Sequence, residues 1–578
     1  METAQAKHPL GIKAKILLSS VFGPYAQDDE FGSRKINPME LYQNQVTRAQ
    51  GPFSLRMFHR SFGLMMIQAN ISAPCTLLDF PSLERFTEEL REKTYDIVGI
   101  SSIIPNADKV KKMCELVRQY QPRAFIVVGG HIANLAGLEE RIDADHIVKG
   151  EGIRWFRSFL GQDENAPILH PETSSAYGTR IIGHSLAEKP GDTAAILIPS
   201  VGCPMGCNFC STSALFGGKG KFINFYETGD ELFSVMSRLE KNLHVRSFFI
   251  LDENFLYHRK RALRLLELIK EKGKSWALYV FSSAKVLKSY TMEQLVDLGI
   301  AWVWMGVEGR ESKYSKLSGV NTLELVKELQ ASGIRVLGSS IIGMEEHTPD
   351  NMEEVIDYAV SHNSVFHQFM LYTPNPGTPL YEQHKKDGTL YPESQFPLAD
   401  AHGQYRFNYR HSHIQNGQEE KFLADAFERD FAVNGPSLFR LIRVLLTGWQ
   451  KYKNHPDSRI RDRFAWEVEP LKTGYAGAVW AMEKWYWRDH PMREKIRSLR
   501  KDIYKEFGWK TRCIAPVFGT YLLIAMKREA RRLEKGWTYE PRVFYEKNPA
   551  ALALEEKGKN TVLESGKISY SVKTADSV

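Results

Sequence analysis

A chain of 578 residues, 43% hydrophobic and 25% charged, is too long for one hydrophobic core and too apolar for a disordered or fibrous protein. Six cysteines cannot build a disulfide framework, and their scarcity indicates a reducing compartment, so a cytoplasmic location is expected. The net charge of +7 is unevenly spread: residues 436–546 hold 24 Lys/Arg against 13 Asp/Glu, together with seven of the eleven tryptophans. The opening stretch "METAQAKHPLGIKAKILLSS" has no cleavable leader pattern, and no run approaches the roughly 18 apolar residues of a membrane span. The nearest, "IAPVFGTYLLIAM" (514–526), predicts a core or interfacial helix.

In chain order, the first 150 residues alternate apolar runs with helical patterns. "AKILLSS" (14–20), "CTLLDF" (75–80), "YDIVGISSI" (95–103), "AFIVVGGHIAN" (124–134) and "ADHIVKGEG" (144–152) predict strands. The amphipathic "NADKVKKMCELVRQY" (106–120) predicts a helix. Continuous Val/Ile strands separated by helices predict an α/β fold, a doubly wound parallel sheet of Rossmann type. Its strands end in Ser101-Ser102, Gly129-Gly130 and Gly150-Glu151. Ligands of open sheets bind at that edge, and glycines there admit close approach to the backbone. Any one pair fits an ordinary tight turn; three alike point to a ligand site. Cys75, Cys114 and Cys513 are scattered singles, expected as buried small apolar side chains.

Residues 155–190 predict a linker, after which alternation resumes. "AAILIPS" (194–200), "SFFILDEN" (247–254), "ALYVFSSAK" (277–285), "AWVWMGVEG" (301–309), "RVLGSSIIGM" (335–344) and "FHQFMLYTPN" (366–375) predict six strands with intervening helices. Six β/α units make a partial barrel, with catalytic groups at the carboxyl ends of its strands. The expected domains are 1–185 (Rossmann-like domain and linker), 186–385 (barrel), 386–552 (helical, basic and Trp-rich) and 553–578 (a polar, disordered tail).

Directly after the first barrel strand comes "VGCPMGCNFCSTSALFGGKGKF", with Cys203, Cys207 and Cys210 inside eight residues. Thiolates select zinc or iron–sulfur clusters. A structural zinc site needs four protein ligands, usually two knuckles, and no second knuckle is present. Three cysteines on a cubane would leave one iron open to an exogenous ligand. "GGKGKF" (217–222) lacks the Ser/Thr of a phosphate-binding loop and predicts a mobile loop over the cluster. No Gly-x-Gly-x-x-Gly follows the first strand, which argues against a nicotinamide site.

Cys-x3-Cys-x2-Cys after the first strand of a six-unit barrel resembles the signature of radical S-adenosylmethionine (SAM) enzymes, over about residues 190–385. That resemblance implies a [4Fe–4S] cluster on Cys203, Cys207 and Cys210 and places Phe209 beside the adenine of SAM. Asp252 and Glu253 stand where many members hold the SAM amino group with Gly-Gly-Glu; here the segment is Asp-Glu-Asn, similar to an acidic variant of cobalamin-binding members. Glu308 is implied at the ribose, and Ser282 and Ser283 end the third strand beside it. "TPNPGTPLY" (373–381) resembles the segment closing the barrel in cobalamin-dependent members. The implied chemistry is one-electron cleavage of SAM to a 5′-deoxyadenosyl radical, which takes hydrogen from an unactivated carbon.

A Rossmann-like domain ahead of such a barrel is similar to the cobalamin-binding domain of the same superfamily. The resemblance implies contacts from Ser101, Ser102, Gly129, Gly130, Gly150 and Glu151. Asp-x-His-x-x-Gly is absent, and neither His131 nor His146 fits it, so cobalamin is expected without a lower histidine ligand. The implied reaction is methylation of an unactivated carbon, with an electron donor such as flavodoxin or ferredoxin. A radical cyclase, desaturase or coupling enzyme is the alternative, and a non-catalytic cobalamin sensor would require a vestigial cluster motif. In the basic carboxyl-terminal region, "SLFRLIRVLLTGWQKYK" (437–453) and residues 478–510 interleave Trp and Leu with Lys and Arg. Such helices either pack on the barrel or lie on an anionic bilayer. The substrate is expected to be a small molecule or a lipid, with peripheral membrane contact favoured over nucleic acid. No residue is assigned to quenching a product radical.

Overall fold

Residues 16–20, 75–79, 97–101, 125–129 and 146–148 are almost unbroken Val, Ile, Leu, Gly and Ser, and such runs can be satisfied only when both faces of a strand are covered. In the computed structural model they form β1 (Ile16–Ser20), β2 (Cys75–Asp79), β3 (Ile97–Ser101), β4 (Phe125–Gly129) and β5 (His146–Val148). The structure describes residues 7–556, apart from 26–27, 33–45, 176, 187–192, 310–313, 315, 318 and 416. These five strands are parallel in the order β2–β1–β3–β4–β5, a doubly wound arrangement whose strand order reverses between β1 and β3. Helix α1 (Ala107–Tyr120) packs on one face through Val110, Met113, Cys114 and Val117, spaced as one helical stripe.

The barrel strands are β6 (Ala195–Leu197), β7 (Ser247–Ile250), β8 (Ala277–Phe281), β9 (Ile300–Gly306), β10 (Arg335–Ile342) and β11 (Phe366–Leu371), all parallel and neighbours in chain order. The predicted linker does not behave as one. Tyr177–Ile181 pairs with Arg56–Phe58 and His184–Ser185 in a small antiparallel sheet, a long-range pairing invisible to local pattern.

Five helices make up the carboxyl-terminal region: α2 (Gln418–Asn434), α3 (Ser437–Tyr452), α4 (Ser458–Val468), α5 (Gly474–Trp485) and α6 (His490–Glu534), the last interrupted at Gly508. Several of its basic residues are buried anchors. Arg463 donates to the carbonyls of Val296 (3.0 Å) and Ile300 (3.1 Å), Arg459 to that of Asp297 (2.6 Å), and Arg440 pairs with Asp430 at 2.8 Å. Cys75 and Cys114 are buried as expected, whereas Cys513 is exposed on the outer face of α6. No helix of the described residues is long and apolar enough to cross a membrane.

The chain then returns to its beginning. β12 (Phe544–Lys547) pairs antiparallel with β2 and completes the order β12–β2–β1–β3–β4–β5. Residues 553–556, expected to open the polar tail, are helical; the rest of that tail, 557–578, lies outside the described residues.

Candidate functional site

Gly202 ends a short strand with φ 86°, and the chain turns from it into the three cysteines. Cys203, Cys207 and Cys210 are half-buried and face one another. The "GGKGKF" loop folds over them: the Gly220 N–H donates to the Pro204 carbonyl at 3.0 Å. A Cβ on Gly206 would lie 2.4 Å from that of Lys219, so the loop can close this far only over glycine. Cys210 also caps the short helix Ser211–Leu215, accepting from the Ser213 N–H at 3.5 Å.

Burial raises all three thiols, that of Cys203 to about 12, while at Cys207 the nearby Lys316 ammonium opposes the rise. Among the described residues no three His, Cys, Asp or Glu side chains converge as one metal ion requires. Three thiolates in one pocket suit a cluster that leaves one iron open better than a structural zinc, which takes four protein ligands.

The predicted SAM contacts divide into two kinds. Asp252 is fully engaged: Arg261 pairs with it at 2.7 Å, and the Ser200 hydroxyl and Asn254 N–H donate to it. Its neighbour Glu253 has no hydrogen-bonding partner among the described residues. Glu253 is open to solvent yet set in a cleft near Cys203 and Cys210, where loss of hydration and then the Asp252 charge push its carboxyl up to about 7. Ser282 and Ser283 are buried and tied to Asn254, which accepts from the Ser282 hydroxyl (3.1 Å) and the Ser283 N–H (3.2 Å).

Glu308, two residues past the end of β9, has a left-handed backbone conformation, φ 40°, rare for a side chain of its size. One carboxylate oxygen pairs with Lys316 at 2.5 Å, and the other is buried with no hydrogen bond among the described residues. Phe209 packs edge-on against Tyr314 (5.1 Å) and Tyr372 (6.0 Å), with the Lys316 ammonium 5.4 Å from its ring centre. Lys316 and Tyr314 were not singled out from the sequence, because residues 310–318 carry no motif, and Tyr372 was read only as part of the strand 366–375. An orphaned acceptor and an unpartnered carboxylate beside three thiols fit a ligand that brings an ammonium group and hydroxyls.

The other sheet presents its own carboxyl edge. Ser101 pairs in register with Gly129, and the Ser102 N–H donates to the Gly129 carbonyl at 3.1 Å. Gly130 has φ 86°, and a Cβ there would lie 2.6 Å from the Ser102 carbonyl oxygen and 2.9 Å from the Ser101 hydroxyl. The edge is therefore bare backbone and small side chains, a cradle for a broad planar group. Gly150 faces the Leu215 carbonyl, while Glu151 spends its carboxylate capping the next helix, accepting from the Ile153 and Arg154 N–H groups. Burial lowers the pKa of His131, which holds its imidazole neutral.

The two carboxyl edges face each other. The Asn134 amide, just past β4, donates to the Ser211 carbonyl next to Cys210 at 3.0 Å, and its Oδ1 is buried without a partner among the described residues. Gly377 of "TPNPGTPLY" abuts the same residue: a Cβ there would lie 2.9 Å from the Asn134 carbonyl oxygen.

Residues 54–160 match the family model of the B12 binding domain, and residues 197–359 that of the Radical SAM superfamily. An uncharacterized methyltransferase of Pyrococcus horikoshii is 25% identical over 321 residues, spanning 50% of this chain and 69% of that protein. Bacteriochlorophyllide d C-8(2)-methyltransferase of Chlorobaculum tepidum is 23% identical over 363 residues, 58% of this chain and 77% of that protein. Among solved structures, the radical SAM methyltransferase TsrM from Kitasatospora setae, with cobalamin and a [4Fe–4S] cluster bound, shares the fold. It has a TM-score of 0.50 and 14% identity, covering 79% of this chain and 99% of that one.

Proposed function

The chain is a cobalamin-binding radical SAM enzyme, and we propose that it methylates an unactivated carbon of a lipid substrate. The observation that carries this reading is the meeting of the two carboxyl edges across Asn134 and Ser211, which sets the cysteine loop opposite the bare Ser101–Gly130 edge. When bound, the cluster supplies one electron to SAM and cobalamin supplies a transferable methyl group. Cys203, Cys207 and Cys210 hold the cluster. Glu253 takes the SAM ammonium and the free oxygen of Glu308 the ribose hydroxyls, with Phe209 beside the adenine. Ser101, Ser102, Gly129, Gly130 and Gly150 receive the corrin.

Asp252 and Glu151 act one step back in this reading. Asp252, fixed by Arg261, orients the Glu253–Asn254 turn and through Asn254 the Ser282–Ser283 corner. Glu151 fixes the helix that follows the corrin edge. The "GGKGKF" loop shields the cluster from water, and a flavodoxin or ferredoxin delivers the electron. A lipid substrate and peripheral contact with a bilayer are supported by the exposed aromatic and basic residues of α6, including Trp509 at 71% exposure.

The test is anaerobic reconstitution with iron, sulfide and cobalamin, followed by reductant, methyl-deuterated SAM and a lipid extract. Labelled lipid accompanied by both S-adenosylhomocysteine and 5′-deoxyadenosine is expected. Deoxyadenosine with an altered but unlabelled product overturns methyl transfer in favour of cyclisation, desaturation or coupling.

A further inference from the structure

A closed eight-stranded barrel is filled by its own side chains; this one has six strands. Here the amino-terminal half of the lumen is open. A cavity of about 830 Å³ lies between the inner faces of β7–β11, the helices α3–α6 and the small antiparallel sheet, lined among others by Phe249, Trp302, Trp304, Leu441 and Ala478. That volume falls in the upper range of ligand sites, and its wall is mainly apolar and aromatic.

The cavity has a ceiling, a handle and a mouth. Its ceiling is an aromatic layer in which Phe249 stacks on Phe281 at 5.7 Å and Phe281 on Trp304 at 5.0 Å. Trp304 is fixed by donating to the Ser339 hydroxyl at 2.7 Å, and it lies on the strand that ends two residues later and leads to Glu308. The layer thus separates the cavity from the cofactor end of the same strands. The handle is Arg335, 3% exposed: one nitrogen pairs with Glu467 at 2.8 Å, but Nε and Nη1 have no hydrogen-bond acceptor among the described residues. Buried donors without acceptors are costly, and an oxygen-bearing ligand would satisfy them.

The mouth is on α6, where Phe518, Tyr521 and Leu522 form part of the rim. Gly477 of α5 and Gly519 of α6 bring the two helices to backbone contact, since a Cβ on Gly519 would lie 2.9 Å from the Gly477 carbonyl oxygen. This closeness turns the opposite face of α6 outward. On that face Val517 is 71% exposed and Ile524 48%, and the stripe runs on to the rim, where Tyr521 is 58% exposed and Phe518 47%. Lys510, Arg512, Lys527 and Arg528 flank the stripe, with no acidic residue between Glu506 and Glu529. An exposed apolar stripe bounded by cations complements an anionic bilayer.

We propose that this cavity seats the apolar body of the lipid, loaded from an anionic bilayer on which the α6 stripe docks, with the aromatic layer as the boundary the reacting carbon must reach. The inference rests on the lipid reading above, and it adds where that substrate lies and how it enters.

The test uses full-length protein carrying cluster and cobalamin. In detergent-free buffer, cis-parinaric acid should gain fluorescence on binding the wild-type protein, and 9,10-dibromostearate should quench its tryptophans, three of which line the cavity. Leu441→Trp and Ala478→Phe, which fill the cavity, should each weaken parinaric acid binding at least about tenfold. Their cofactor absorbance should stay at wild-type level, which shows that they fold. Val517→Glu/Ile524→Glu, outside the cavity, should abolish co-flotation with phosphatidylcholine–phosphatidylglycerol vesicles while leaving parinaric acid binding intact. Absence of dibromostearate quenching in the wild type, undiminished binding by the filled variants, or flotation indifferent to phosphatidylglycerol or to the double substitution overturns the proposal. These readouts follow occupancy rather than methyl transfer: a protein that binds both probes as expected yet transfers no methyl group overturns the methylation reading and leaves the cavity assigned.

Discussion

Asp252 and Glu253 are adjacent carboxylates of opposite fate, and the difference lies in their partners. Asp252 is buried against Arg261 and accepts from Ser200 and Asn254, so it is structural. Asp252→Asn leaves a buried guanidinium without its counter-charge and should lower unfolding free energy by about 3 kcal/mol in chemical denaturation. Glu253, with no partner among the described residues, should be dispensable for folding. Glu253→Gln should leave the melting temperature near wild type and weaken SAM binding by about 10–100-fold in equilibrium dialysis, the worth of one charge-assisted hydrogen bond. Equal losses of stability in both variants would refute this division. At the cysteines the expectation is simpler: Cys207→Ala should leave iron content sub-stoichiometric and abolish 5′-deoxyadenosine formation. The type of each of these residues was legible in sequence; which of two neighbouring carboxylates is free was not, because Arg261 reaches Asp252 only after β7 and its following helix have packed.

At the scale of elements, strand positions were legible because fully covered parallel strands are continuous apolar runs with no alternative placement. The lower barrel resisted such reading. A cavity belongs to several strands and helices at once, and Trp302, Trp304 and Tyr279 look like core residues in any one of them. Between strands, histidines act as neutral clips. His170 accepts from the Ile198 N–H at 2.9 Å just past β6 and hydrogen-bonds the Pro171 carbonyl at 2.8 Å through its other nitrogen. Burial lowers its pKa to about 4, against about 6.5 in an unfolded chain. A histidine depressed in the folded state contributes stability that is full above its unfolded pKa and is lost as pH falls below it. At pH 5 this residue alone should cost about 2 kcal/mol. His59, lowered to about 4, and His367, lowered to about 3, act with the same sign. His170→Leu should therefore melt lower than wild type at neutral pH but show a shallower decline toward pH 5. A decline as steep as that of the wild type would exclude the clip.

Across the whole molecule, a segment late in the chain returns to its beginning, and no local pattern foretells it. "FYEK" (544–547) is short and unpatterned, yet as β12 it covers β2, the exposed edge of the cobalamin-binding sheet, about 470 residues earlier in the chain. Backbone pairing at a sheet edge makes few demands on side chains, so composition could not foretell it. Side chains then lock the seam: Arg60 pairs with Glu546 at 2.6 Å, and Glu540 accepts from the Tyr25 N–H at 2.7 Å. Asn548 is the tightest point, buried, accepting from the Cys75 N–H at 3.0 Å and donating to the Ala73 carbonyl at 2.9 Å. Replacing it by alanine orphans a buried donor and a buried acceptor at once and should cost about 3 kcal/mol. Because β12 pairs with the first sheet's outer edge and its side chains reach Arg60 and Glu89 of the same domain, Asn548→Ala should raise amide hydrogen exchange in β2 and β1 and speed cobalamin loss, while the iron content of the cluster stays at wild-type level. Faster exchange spread equally into the barrel strands would mean that the segment braces the whole molecule rather than the cobalamin-binding sheet.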